Sequence, residues 1–170
     1  MKNDLIYLIG PMGSGKSSVG KKLAEKLGLS WVDIDAKIVE QQASSIADIF
    51  AVHGEQYFRE LEFNYLQSIN EQAVVSTGGG LPMFHNAMSM MLRKGEVIYL
   101  EVSPDVAIQR IHLSTERPLL SGNELEQKQQ WMELFNQRKA TYRQARIQMN
   151  ANLPLDELVE QLVSAIANKQ

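Results

Sequence analysis

A chain of 170 residues, 44% hydrophobic and 22% charged, is the size of one ordinary domain, long enough to bury roughly two-thirds of its unfolded surface. A formal net charge of −3 without a long basic run argues against nucleic acid or an anionic membrane surface as partner. The absence of cysteine excludes disulfides and thiolate chemistry and accords with a reducing cytoplasm. No run approaches the ~20 apolar residues of a membrane span, and the apolar stretch after Met1 is only Leu5 to Ile9, too short for a secretory leader. There is no repeat, low-complexity tract or Pro/Ser-rich linker, so residues 1–170 are expected to form a single domain.

In chain order, Leu5–Ile9 reads as a short buried strand and Lys16 to Leu27 as a helix with Val19, Leu23 and Leu27 on one face, ended by Gly28. Trp31 to Asp35 (WVDID) reads as a second strand. Ile46, Ile49 and Phe50 mark a helix interrupted at Gly54, and Phe58, Leu61, Tyr65 and Ile69 mark the next. Ala73–Ser76 and Val97–Val102 are apolar and β-branched, as central strands are. Pro104 starts a helix carrying Val106, Ile108 and Ile111, with proline well placed in a first turn. Leu113–Glu124 has no period and reads as a loop; a long polar helix follows through Tyr142. Ile147–Met149 is a last short strand, and Leu155, Leu158, Val159, Leu162, Val163 and Ile166 line an amphipathic final helix. Strands alternating with helices imply a parallel sheet covered on both faces, with ligands at the carboxyl ends of its strands.

Four of the eleven glycines fall between Ile9 and Gly20, and three of those stand within six residues directly ahead of Lys16 and Ser17. Gly10 to Ser17 fits G-x-x-x-x-G-K-[ST] between a predicted strand and a predicted helix, the context this motif requires. Glycines let the loop curl so that backbone N–H groups face inward, and the helix N-terminus adds partial positive charge. Lys16 would reach the β/γ-phosphates of a nucleoside triphosphate and Ser17 would ligate Mg²⁺. The strand Ala73–Ser76 ends in Ser-Thr-Gly-Gly-Gly without the aspartate many such proteins place there. Asp33 and Asp35 are the obvious substitutes, because residues i and i+2 of an extended segment share a side. One carboxylate would organise the metal's water shell and the other orient or deprotonate an attacking hydroxyl. A helix cap plus a surface acid is the plainer reading of the same pair.

Arg59 and Glu62 stand one helical turn apart, so the glutamate can hold the guanidinium, although such a pair is often only a surface ion pair. Gly78, Gly79 and Gly80 after a buried strand weaken local structure unless something must approach the backbone closely. Arg117 lies in the irregular loop and Arg138 on the long helix, four residues before Tyr142. Three dispersed arginines point to an anionic acceptor, since guanidinium pairs bidentately with carboxylate or phosphate. Met83 to Met91 holds four methionines, read as packing filler, and His53, His85 and His112 lack metal-ligand spacing.

GPMGSGKS, the D-x-D of Asp33 and Asp35, I-x-x-I-F and G-E-x-x-F-R-x-x-E from Ile46 to Glu62, S-T-G-G-G, R-P-L-L and R-x-x-x-Y occur in this order, and the chain resembles the shikimate kinases over nearly its whole length. The resemblance implies an α/β P-loop NTPase fold of the nucleoside monophosphate kinase style. Its central five-stranded parallel sheet would be flanked by helices, with a substrate-binding helical segment at about 33–62 and a lid at about 112–123. It implies transfer of the ATP γ-phosphoryl group to the 3-hydroxyl of shikimate, in aromatic amino acid (chorismate) biosynthesis, by a cytoplasmic monomer using one Mg²⁺.

By the same resemblance, Gly13, Ser14, Gly15, Lys16, Ser17, Ser18, Arg110, Arg117 and Leu153 contact ATP. Arg110 would stack on adenine, and the loop Asn152–Pro154 would lie beside it. Asp35 would sit on the reacting hydroxyls, with Asp33 nearer the metal through water. Arg59 and Arg138 would grip the shikimate carboxylate, and the Gly78–Gly80 backbone would line the pocket. Lys16, Asp35 and the lid arginine Arg117 would carry catalysis. The lid offers only His112 and Arg117 as cations, with Glu116 beside the arginine, where the family's lids are often more basic.

Overall fold

The computed structural model describes residues 5–113 and 120–168. Strands β1 (Leu5–Ile9), β2 (Ser30–Asp33), β3 (Ala73–Ser76), β4 (Glu96–Glu101) and β5 (Ile147–Asn150) form one sheet in the order β2-β3-β1-β4-β5, every neighbouring pair parallel. Parallel neighbours need long crossovers. Helices α1 (Lys16–Leu27), α2 (Ile34–Gln42), α3 (Ile46–Ser68), α4 (Ala87–Lys94), α5 (Pro104–Leu113) and α6 (Glu124–Tyr142) build them, and α7 (Leu155–Ala167) follows the last strand.

The strands read as unbroken apolar runs because both sheet faces are covered. Along β1, Leu5, Tyr7 and Ile9 enter one core while Ile6 and Leu8 enter the other; β4 divides Val97 and Tyr99 from Ile98 and Leu100 in the same way. The first core is closed by residues such as Ile38, Phe58, Leu66 and Met91 from α2, α3 and α4. The second is closed by Val19, Leu23, Ile108, Leu158 and Leu162 from α1, α5 and α7. Fully burying a side chain such as Leu23 contributes about 1.5–3 kcal/mol, so each face anchors the loops at the strand ends. Met88 and Met91 are buried in the first core, which is the packing role expected of that methionine-rich stretch.

Two expectations change. The second strand stops at Asp33 and not at Asp35, because the Asp33 side chain accepts the Ala36 N–H at 3.1 Å and caps α2. Asp35 therefore stands in the first turn of a helix, and the argument from i and i+2 of an extended segment does not hold. The residue pattern marks neither α2 nor α4, although the helical segment implied at about 33–62 covers α2. Elsewhere the bounds agree closely: α1 runs Lys16–Leu27 with Gly28 (φ 67°) as its left-handed cap, and Gly54 (φ 83°, ψ 168°) breaks the helical path of α3.

Candidate active site

The loop between β1 and α1 is shaped by glycine. Gly13 and Gly15 take φ values of 80° and 87°, which L side chains rarely adopt, and a Cβ on Gly13 would stand 2.5 Å from the Ala107 carbonyl of α5. The N-cap residue of α1 is Gly15, which has no side chain to cap the helix, and a helix N-terminus of this kind suits an anion. The Lys16 ammonium donates to the carbonyls of Gly10 and Pro11, both at 2.9 Å, and to Ser14 Oγ at 3.3 Å. Burial lowers its pKa to about 8, while the carboxylates of Asp35 and Asp33 pull it back up. Ser14 is fully buried, whereas Ser17 and Ser18 are exposed.

Ser17 Oγ donates to Asp33 Oδ2 at 2.5 Å, so one aspartate both caps α2 and meets the phosphate loop. This pair of hard oxygen donors fits Mg²⁺, which takes few protein ligands and keeps much of its water. At the end of β3, where no carboxylate stands, Ser76 Oγ donates to the Lys16 carbonyl at 2.9 Å and accepts from Trp31 Nε1 at 3.1 Å. Gly20 of α1 makes room for both: a Cβ there would collide with Ser76 Oγ and lie 2.7 Å from Trp31 Nε1.

The second half of the site gathers on Gly78–Gly80. Arg59, 11% exposed, donates from Nη1 to Glu62 Oε2 at 2.5 Å and from Nη2 and Nε to Glu55 Oε1 at 3.0 and 3.2 Å. Glu62 is fully buried. Burial first, and Asp35 second, push its carboxyl up to about 8, against the pull of Arg59. Asp35, half-buried, is raised by burial and then by Asp33, and held down by a hydrogen bond from Glu62. Among the described residues, Asp35 Oδ1 and Glu62 Oε1 have no ordinary donor. One proton shared between the two carboxyl groups would satisfy both atoms.

The glycines exist for these side chains as well as for any ligand. A Cβ on Gly78 would collide with Glu62 Oε1 and stand 3.0 Å from Asp35 Oδ1; one on Gly80 would stand 2.5 Å from Arg59 Cζ. At Gly79 the same position lies 3.4 Å from the Gly10 carbonyl and 3.6 Å from Arg138 Nη1, which joins the run to the phosphate loop. Tyr142, stacked on Tyr99, donates to the Gly79 carbonyl at 2.6 Å. Arg138, half-buried on α6, has no ion pair among the described residues.

Lys16, Ser17, Asp33, Asp35, Arg59, Gly78–Gly80 and Arg138 thus converge at the carboxyl ends of β1, β2 and β3. Arg110 stands further along, its Nη1 donating to the Gly13 carbonyl at 3.4 Å. Leu153 packs on the second core; its neighbour Asn152 accepts from Ser103 N–H and Oγ at 3.0 and 3.1 Å, tying that loop to the start of the helix that carries Arg110. Arg117 and Glu116 lie outside the described residues. The contact of Glu62 with Asp35 was not anticipated, because Glu62 was read only as a holder of Arg59. Ser76 was noticed for the missing carboxylate and not for its bond to the Lys16 carbonyl.

The family model described as shikimate kinase matches residues 12–167. A curated shikimate kinase of Sulfurihydrogenibium sp. (strain YO3AOP1) is 45% identical over 172 aligned positions, covering 99% of this chain and 100% of the relative. The crystal structure of a shikimate kinase from Bacteroides thetaiotaomicron superposes with a TM-score of 0.91 at 34% identity, covering 96% of this chain and 98% of that one. The Acinetobacter baumannii shikimate kinase in complex with shikimate superposes with a TM-score of 0.89 at 31% identity, covering 98% and 94%.

Proposed function

The chain belongs to the shikimate kinase family, and from that premise we propose how its residues divide the work of moving the ATP γ-phosphoryl group to the 3-hydroxyl of shikimate. The observation that carries the reading is the convergence of Asp35, Arg59 and Arg138 on Gly78–Gly80, beside the loop that holds Lys16. One end of that space offers a guanidinium already oriented by Glu55 and Glu62 and a second with no carboxylate partner among the described residues. Such a pair suits the carboxylate of an acid. The other end offers the Asp35 carboxyl beside Lys16 of the phosphate loop.

Phosphoryl transfer passes through a loose transition state, so positioning and charge matter more than covalent help. Gly13, Ser14, Gly15 and the start of α1 with Ser17 and Ser18 cradle the phosphates, and Lys16 leaves its loop carbonyls for the β- and γ-oxygens. Asp35 aims the acceptor hydroxyl and takes its proton. Glu62 steadies both Arg59 and Asp35. Mg²⁺, when bound, would neutralise phosphate charge; Ser17, and Asp33 through water, would hold it. Arg110 and Leu153 are assigned to the adenine, and Arg117, outside the described residues, to the phosphates. We assign the enzyme to the cytoplasm as a monomer with one Mg²⁺, serving aromatic amino acid biosynthesis, a placement supported by the family and compatible with a chain free of cysteine.

An ADP-release assay with ATP and Mg²⁺, offering shikimate, gluconate and a nucleoside monophosphate in parallel, tests the reading. Turnover with shikimate and only traces with the others is expected; preference for gluconate or a nucleotide would overturn it.

A further inference from the structure

Trp131 of α6 is 2% exposed, sits in the second core and stacks on Phe135 with ring centroids 5.2 Å apart and planes 17° apart. Its indole N–H does not reach water. It donates instead to the carbonyl of Met12, inside the phosphate loop, at 2.9 Å, across 119 positions of sequence. A buried indole N–H needs a partner. This one belongs to the peptide that joins Met12 to Gly13.

A trans peptide is planar, with its C=O and the following N–H on opposite sides. Holding the Met12 carbonyl against α6 therefore fixes the Gly13 N–H facing away from α6. The other side of Gly13 is fixed too: its carbonyl accepts from Arg110 Nη1 at 3.4 Å, and its Cα packs so closely on Ala107 that a Cβ would meet backbone. With φ of 80° and no side chain, Gly13 has little local preference of its own, so the plane needs an external hold. We infer that Trp131 is a positioning residue of the phosphate loop, its indole N–H orienting the Met12–Gly13 peptide so that the Gly13 N–H serves the nucleotide phosphates. It acts through the loop and touches no substrate. Because α6 also carries Arg138 and Tyr142, one helix holds the nucleotide loop at Trp131 and the glycine floor at Tyr142.

The inference rests on the reading of Gly10 to Ser17 as the phosphate site of ATP. Titration calorimetry of ADP with the wild-type protein tests that reading first, since no binding there would sink the function and leave Trp131 moot. Given wild-type binding, Trp131→Phe keeps an aromatic ring on Phe135 and removes the donor together with part of the indole. Loss of one hydrogen bond's worth of orientation is expected to weaken ADP binding about 3- to 10-fold. KM for ATP should rise in step, with kcat and the shikimate dissociation constant, measured without nucleotide, within two-fold of wild type. Site-specific β-(3-benzothienyl)alanine at position 131, which matches tryptophan in shape and lacks the N–H, should give the same shift and covers the case in which phenylalanine packs poorly. A lowered melting temperature with unchanged ADP affinity in either variant would make Trp131 a core residue only and overturn the inference.

Discussion

Arg59, beside Gly80, donates to the buried Glu62 across 2.5 Å, while Arg138, beside Gly79, has no ion pair among the described residues. The two arginines assigned to one carboxylate are therefore unequal. Removing either leaves a partly desolvated anion short of a partner, which typically costs ~2–5 kcal/mol, or roughly thirty-fold to several thousand-fold in shikimate binding. Because they share one group, their effects should be non-additive in a double-mutant cycle. Arg59→Ala should also lower the melting temperature, since the buried Glu62 then loses the donor that satisfies its Oε2, whereas Arg138→Ala should not. Additive binding losses, or equal melting temperatures, would contradict this division.

Asp35→Asn should lower kcat by about 10²–10⁴-fold, the range for a lost general base. Asp33→Asn keeps a competent cap on α2, because asparagine caps as well as aspartate. Its loss should be smaller and should shrink as Mg²⁺ is raised. An indispensable Asp33 beside a dispensable Asp35 would reverse the two roles.

Glu62 gives the fold a pH signature. Its carboxyl titrates at about 8 in the native protein, against an ordinary 4.5, so the native state keeps a proton that the unfolded chain has already released. Its contribution is complete below pH 4.5 and is lost as pH rises toward 8. Asp35, also raised, acts in the same sense; Lys16, lowered to about 8, acts in the opposite sense and only above that pH. Melting temperatures from pH 5 to 8 should fall less steeply in Glu62→Gln than in wild type. Identical slopes would show that Glu62 is ionised throughout.

How much of this was legible in the sequence depended on whether a residue's role is local. The phosphate loop was readable because its function follows from eight adjacent positions and the strand and helix around them. The strands were readable because a sheet covered on both faces demands apolar runs. Asp35 meets the loop from the first turn of α2 and not from an extended segment, and the cap formed by Asp33 decides that geometry. Helix α4 went unseen although it has a clear apolar face, because it is only eight residues long and its methionines read as packing filler rather than as a helical stripe. The contacts of Ser76 with the Lys16 carbonyl and of Trp131 with Met12 span 60 and 119 positions, and no local pattern announces them.

The glycine run offers a test of crowding. A methyl group on Gly78 must displace the Glu62 carboxyl and press on Asp35. Gly78→Ala should cost about 1–3 kcal/mol of stability, as overpacking does, or roughly 2–4 °C in melting temperature per kcal/mol for a domain of this size. It should reduce kcat and weaken shikimate binding while ADP binding holds. Wild-type turnover in this variant would show that Asp35 and Glu62 need not keep their places.

The central claim is a phosphoryl transfer to one particular oxygen, and the product's phosphorus–proton couplings read it directly. Incubation of the purified protein with ATP, Mg²⁺ and shikimate should yield a new monophosphate whose ³¹P resonance couples to the ring proton at carbon 3, together with an equal amount of ADP. A phosphorus coupled to another ring position would mean that Asp35 addresses a different hydroxyl. Inorganic phosphate with unchanged shikimate would contradict the account outright, since the protein would then hydrolyse ATP without delivering its phosphoryl group.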